Sequence, residues 1–251
     1  MRALFVGSCA KEPDLPEANE DAYAFSADRS RFVVSDGASE SYDSSAWARQ
    51  LVDRYAIDPA FDERWLEQAM AQYAAGHDVA SLAWAQQLAF ERGCFATLLA
   101  ADHDEESKHL MLFGVGDSVA LLLDAGVLTL AWPLSEPEQF RERPTLVSTL
   151  REHNQFVREE SFAQQGWRKI DLAFHADPVL LCMTDALGEW AVRAAKESAE
   201  NLTRLASIAT YEDLLELVVS ERAAKRMRVD DSTLAILRFD GLEGGDGLSQ
   251  P

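Results

Sequence analysis

The residues best able to do chemistry are acids placed at the ends of apolar runs. Phe32-Val33-Val34 delivers Asp36 into a glycine turn at Gly37, within the stretch RFVVSDGASES that runs from Arg31 to Ser41. A carboxylate there is a hard oxygen ligand at a strand end, and the glycine lets its own carbonyl approach the same cation. Asp-Gly after a strand is, taken alone, an ordinary turn signal. The pattern recurs, however. LMLFGVGD closes on Asp117, VLLCMTD closes on Asp185, Asp230-Asp231 precede the apolar run 233–239, and Asn19-Glu20-Asp21 precede 22–25. Strands of one core tend to bring such ends to a common rim, where mutually repelling carboxylates persist only around positive charge. Carboxylate and carbonyl oxygens suit Mn²⁺ or Mg²⁺. Zinc would call for histidine or thiolate, and His77, His103, His109, His153 and His175 show no ligand spacing.

Positioning these acids requires strands that end where they stand. The 251 residues are 47% apolar, enough for one core, and no linker divides residues 1–240, so a single domain is expected. Strands are predicted over 3–7, 22–25 and 32–34, then as a meander over 95–101, 108–115, 119–123 and 127–131, and again over 170–174, 179–183 and 233–239. Helices are predicted from an Asp43 or Ser44 cap to about Tyr55, over 63–75, 81–92, 187–202 and 211–225. Trp47, Trp65 and Trp84 recur at helical spacing and read as packing. The segment 133–166 is charged, interrupted by Pro133, Pro137 and Pro144, and carries Arg141, Arg143, Arg151 and Arg158. So long a piece between strands is uncommon unless it has a task, and it reads either as a flap-like insertion or as a surface excursion. Residues 241–251, rich in glycine, are expected to form a disordered tail. Two groups of strands with helical pairs between them give an α+β fold: a four-layer sandwich of two antiparallel β-sheets flanked by helices.

Composition narrows the partners. Lysine and arginine number 23 against 43 acids, a net charge of −20. That balance excludes nucleic-acid backbone and anionic membrane as partners and favours a cation or a basic partner. Cys9, Cys94 and Cys182 are odd in number and lack CxxC spacing, so buried free thiols and no disulfide are expected. The apolar run in MRALFVGS is too short for a signal peptide, and no stretch approaches membrane-spanning length; a cytoplasmic location is expected.

Six stretches in order, Asn19-Glu20-Asp21-Ala22, Ser35-Asp36-Gly37-Ala38-Ser39, Gly93-Cys94-Phe95-Ala96-Thr97, Gly114-Val115-Gly116-Asp117-Ser118, Thr184-Asp185-Ala186 and Asp230-Asp231-Ser232-Thr233, span most of the chain. Together they resemble the motifs of the metal-dependent serine/threonine protein phosphatases of type 2C, bacterial type. The resemblance implies the same sandwich, hydrolysis of phosphoserine and phosphothreonine by a metal-activated water, and two Mn²⁺ or Mg²⁺ ions with a weaker third. Asp36 would bridge two ions, Glu20 and the Gly37 carbonyl would complete one, and Asp185 and Asp230 the other. Asp117, supported by Glu189, would match the third, and Asp21 would act from behind the ligands. The implied catalytic set is thus Asp36, Asp185, Glu20 and Asp21. The segment 133–166 would be the flap beside the active site. A phosphoprotein, a cognate serine/threonine kinase or its target, would be the signalling partner.

Two positions depart from the pattern. Pro16 stands near the place of the family's phosphate-gripping arginine, leaving Lys11 as the substitute, with Arg2 a weaker one. Ala38 stands where eukaryotic relatives carry a histidine proposed as general acid. A catalytically weak binding or regulatory module and a small-molecule phosphatase are the alternatives.

Overall fold

The structure, a computed structural model, describes residues 1–39 and 41–239; the tail expected over 241–251 lies outside the described residues. In chain order the elements are β1 (Arg2–Cys9), β2 (Ala22–Phe25), β3 (Arg31–Ser35), α1 (Ser44–Ile57), α2 (Glu63–Ala75), α3 (Trp84–Glu91), β4 (Phe95–Ala96), β5 (Leu98–Asp104), β6 (His109–Val115), β7 (Val119–Asp124) and β8 (Val127–Trp132). There follow β9 (Val147–Ser148), α4 (Glu160–Gln165), β10 (Trp167–Asp171), β11 (Pro178–Met183), α5 (Asp185–Glu197), α6 (Ala199–Ala206), α7 (Tyr211–Ala223) and β12 (Ser232–Arg238).

Two five-stranded sheets, ordered β1-β12-β11-β7-β8 and β10-β6-β5-β3-β2, carry only antiparallel pairs. Between them lies one core, where Phe32, Val34, Leu99 and Leu112 of the second sheet cluster with Leu122, Leu180 and Leu237 of the first. The opposite faces are buried as well. Val33, Ala100 and Phe113 pack with Trp47, Leu51 and Tyr55 of α1 and Trp65 of α2. Leu121, Leu181 and Ile236 pack with Leu187, Trp190, Leu202, Leu214 and Leu217 of α5, α6 and α7. Strands covered on both faces need apolar residues at every position, which is why FVV, LMLF and VLLCM are continuous runs instead of alternating ones. The four-layer sandwich expected from the sequence is the fold observed.

Several elements differ from expectation. The strand expected over 170–174 instead spans Trp167–Asp171 and pairs with β6. Trp167 packs tilted against Phe113 with ring centroids 4.3 Å apart, while Asp171 caps a short turn by accepting from the Ala173 amide at 3.0 Å, and Phe174 is left 85% exposed. The helix expected over 187–202 breaks at Ser198, whose extended backbone (φ −161°) and side chain, accepting from the Glu200 amide, start a second helix. Trp84 is a correction: on α3 it is 75% exposed and Leu88 is 39% exposed, so that part of the tryptophan stripe does not pack. Cys9, Cys94 and Cys182 are free and buried, as expected. No helix among the described residues is long and apolar enough to cross a membrane.

The segment 133–166 is sewn to the body. β9 pairs with β4, Thr149 exchanges hydrogen bonds with Cys94, and the Trp47 indole donates to the Val147 carbonyl at 2.9 Å. Asn154, buried, accepts from the Ser148 amide at 2.9 Å and donates to its carbonyl at 2.8 Å.

Candidate active site

Strand register gathers the acids. Ala22 opposes Ser35, so Glu20-Asp21 and Asp36 leave the second sheet at the same end, where Leu98 opposes Val115 just before Asp117. In the first sheet Met183 lies opposite both Val119 and Leu234, and Cys9 opposite Ser232. Lys11, Asp117, Asp185 and Asp230-Asp231 therefore emerge at one edge of the sandwich. The common rim expected from the sequence exists.

Each carboxylate is held by neighbours the local sequence supplies. Asp36 is fixed through its backbone: its amide donates to Thr97 Oγ1 at 2.9 Å and its carbonyl accepts from the Thr97 amide at 2.9 Å. Thr97 is held in turn by Ser118 Oγ at 2.7 Å, and this contact needs the bend at Gly116 (φ +102°), where a Cβ would lie 2.7 Å from Thr97 Cγ2. At Gly37 a Cβ would stand 2.7 Å from the Ser44 carbonyl, so only glycine lets α1 begin this close to Asp36. The Gly37 amide donates to the Glu20 carbonyl at 3.2 Å. The Glu20 carboxylate takes hydrogen bonds from the Ser39 and Ser44 hydroxyls and an ion pair from Lys11 Nζ at 3.0 Å. Asp21 Oδ2 accepts from the Thr184 and Thr233 hydroxyls at 2.9 and 2.6 Å. Buried Asp231 closes the ring, accepting from the Lys11 amide at 2.6 Å and the Glu20 amide at 2.7 Å.

The charges interact strongly. Burial pushes Asp36 well above the usual carboxylate range, and the charges of Asp21, Asp185, Asp230 and Asp117 push it further. Asp21 is likewise raised, by burial first, with the Thr233 hydroxyl opposing. Asp185 is pushed up to about 7 by burial, although Arg228 beside it pulls down, while Asp117 and Asp230 push up. Asp117 is raised by burial, again against Arg228. Arg228 is ion-paired with Asp185.

The donor set fits hard divalent cations in kind. All donors are oxygens, and Asp21 Oδ1 and Asp185 Oδ1 are buried without a hydrogen-bond partner. It is not arranged as a finished metal cage: among the described residues, no three Asp, Glu, His or Cys side chains stand ready to hold an ion. Glu20 is turned to Lys11 and Asp185 to Arg228, so two internal cations occupy arms that an ion would need.

Among the sequence-expected residues, the rim brings together Glu20, Asp21, Asp36, Gly37, Asp117, Asp185 and Asp230, with Lys11 beside them. Glu189 instead pairs with Arg193 at 3.3 Å, one helical turn along α5, and is not among the leading charges that shift Asp117 or Asp185. Arg228, Thr97, Ser44 and Asp231 carry no site role in the sequence expectations, although Thr97 and Asp231 lie in the quoted motifs and Ser44 in the α1 cap. Arg228 stands two residues before Asp230, whereas the motif resemblance places the phosphate-gripping cation upstream of Glu20.

No protein-family model matches the chain, and no curated protein matches it. Solved structures do. The photosystem II phosphatase PBCP is 15% identical, covers 94% of this chain and 98% of its own, and superposes with a TM-score of 0.55. PppA, a regulatory component of the type VI secretion system in Pseudomonas aeruginosa, is 19% identical over 94% of this chain and 97% of its own, with a TM-score of 0.53. The Mycobacterium tuberculosis serine/threonine phosphatase PstP/Ppp is 18% identical over 87% of this chain and 91% of its own, with a TM-score of 0.52. With 87–94% of its length covered by these structures, this chain has the fold of the serine/threonine phosphatases of type 2C.

Proposed function

We propose that the chain is a phosphatase that removes phosphate from phosphoserine and phosphothreonine in proteins, using two Mn²⁺ or Mg²⁺ ions held at the acidic rim. One observation carries the reading: Asp36 is raised first by burial and then by the charges of Asp21, Asp185, Asp230 and Asp117 at once, a buried concentration of like charge that divalent cations relieve. Asp36 would serve both ions, Glu20 and the Gly37 carbonyl one, Asp185 and Asp230 the other, and Asp117 a weaker third. Such a pair of ions supplies an activated water and a clamp on phosphoryl oxygens. The chain's own part is positioning. Thr97 fixes the Asp36 backbone, Asp21 leans on Thr184 and Thr233, and Lys11 and Arg228 are the rim cations that can turn to phosphate once Glu20 and Asp185 are otherwise engaged. Ala38 has no proton to give, so the departing serine or threonine oxygen takes its proton from solvent.

The test is hydrolysis of para-nitrophenyl phosphate with Mn²⁺, repeated in chelator. Turnover that chelator abolishes supports the reading. The second reading, a weak binding or regulatory module, is favoured by Pro16, Ala38 and the two cations already seated among the acids. It predicts no turnover with Mn²⁺ yet retention of a phosphopeptide.

A further inference from the structure

Next to the acidic rim lies a cleft of about 860 Å³ whose lining, among the described residues, has the opposite sign of charge. Its lining begins with Ala38 and Ser39, which follow Asp36-Gly37, and continues through Arg92 and Phe95 to Arg143 and His153. In a chain with 43 acids and 23 basic residues, this wall carries two arginines and a histidine, and no Asp or Glu among the described residues. Both arginines are exposed, neither is ion-paired among the described residues, and His153 packs edge-on against Phe95 at 5.1 Å.

The cleft is tied to Asp36 by backbone. Gly37 bridges to Ala96, and the Ala38 amide donates to the Phe95 carbonyl at 2.8 Å. Ala96 and Phe95 then pair with Val147 and Ser148. Three neighbouring backbone segments thus join the turn after Asp36 to the segment that carries Arg143 and His153, so the cleft adjoins the rim where a phosphate would sit.

We infer that this cleft is the subsite for the residues flanking the phosphate, and that it selects acidic ones: the substrate is a phosphoprotein with Asp or Glu beside its phosphorylated residue. The inference rests on the phosphatase reading. The net charge of −20 opposes it, most closely at Glu20, whose carboxylate accepts from Ser39 of the lining. At physiological salt the Debye length is about 8 Å, so distant acids are screened while Arg92, Arg143 and His153 lie in contact with whatever fills the cleft.

Two measurements at physiological salt decide it. The first is kcat/KM with Mn²⁺ for a phosphothreonine peptide flanked by Glu and for its Lys-flanked twin. The acidic peptide is expected to be favoured about five-fold, the product of two exposed ion pairs, and Arg92→Glu/Arg143→Glu should invert the ratio. Arg64→Glu/Arg168→Glu makes the same change of net charge at exposed arginines outside the cleft and should leave the ratio as it was. The ratio cancels any loss common to both peptides. A wild-type preference for the basic peptide, or equal inversion by the two double variants, overturns the inference. The second is fluorescence anisotropy of the unphosphorylated acidic peptide on the same proteins, which needs no turnover. Binding that Arg92→Glu/Arg143→Glu abolishes supports the cleft even if para-nitrophenyl phosphate is not hydrolysed and the phosphatase reading fails. No difference from the basic twin counts against the cleft even where the enzyme is active.

Discussion

Arg228 shows how a single side chain can hide a site. It is ion-paired with Asp185 and its charge also bears on Asp117 and Asp230, so the acids that would hold an ion are partly neutralised from within. Replacing it by Gln should lower stability in chelator by roughly 1 kcal/mol, the scale of a half-exposed ion pair, and tighten Mn²⁺ binding several-fold because the ion no longer competes. Calorimetric titration with Mn²⁺ checks this, and an unchanged Kd would mean that Arg228 is not in the ion's way. Asp36 behaves oppositely. Asp36→Asn removes charge from the centre of the cluster, so it should cut kcat/KM roughly a thousand-fold. In chelator it should melt above wild type by about 2–4 °C, yet gain little from Mn²⁺. A turn aspartate without a metal role would lose equally in both buffers. The acids were legible because each borders an apolar run, Asp36, Asp117 and Asp185 after one and Glu20, Asp21 and Asp230 before one. Arg228, Ser44 and Thr97 were not, because what makes them matter is their proximity to residues scores of positions away, which no local spacing records.

At the scale of elements, legibility followed burial. α1 and α2 announced themselves because their aromatic residues at i and i+4 are the ones that pack on the sheet. β10 was misplaced by three residues because Ile170, Leu172 and Phe174 alternate like a strand, whereas Trp167 on Phe113 sets the register. The break at Ser198 is a capping event inside a continuous helical pattern, and Trp84 shows that helical spacing alone does not supply a surface to bury against. The attachment of 133–166 is likewise tertiary. It depends on β9 and on Asn154, which satisfies both backbone groups of buried Ser148. Asn154→Ala would leave a buried amide and carbonyl unpaired, a loss of about 1–3 kcal/mol. The expected outcome is a lower melting temperature with faster amide hydrogen exchange confined to 147–158 and its partners 94–96. Exchange that stays native in β9 would show that the pairing with β4 suffices.

The molecule as a whole carries an acid excess whose most costly part is the rim, and this sets how stability responds to pH. In chelator, the folded values of Asp21, Asp36 and Asp185 lie above their unfolded ones, so between the two the native state keeps protons that the unfolded chain has released. Stability then falls as pH rises and is regained on acidification, the reverse of the usual ion-paired carboxylate. Glu221, held below its normal range by Arg226, is of the usual kind, but it stays ionised throughout this window and does not oppose the trend. For Asp185 alone, a shift from 3.8 to about 7 gives a gain of about 2–3 kcal/mol from pH 8 to pH 5, or roughly 5–10 °C in melting temperature. With saturating Mn²⁺ the slope should change sign, because protons compete with the ion for the same oxygens and acidification strips the stabilisation that binding adds. Melting curves across this range, with chelator and with Mn²⁺, therefore should cross. Parallel curves would attribute the pH response to the net charge spread over the surface, which metal at one rim hardly changes, and would remove the acidic rim as the seat of metal binding.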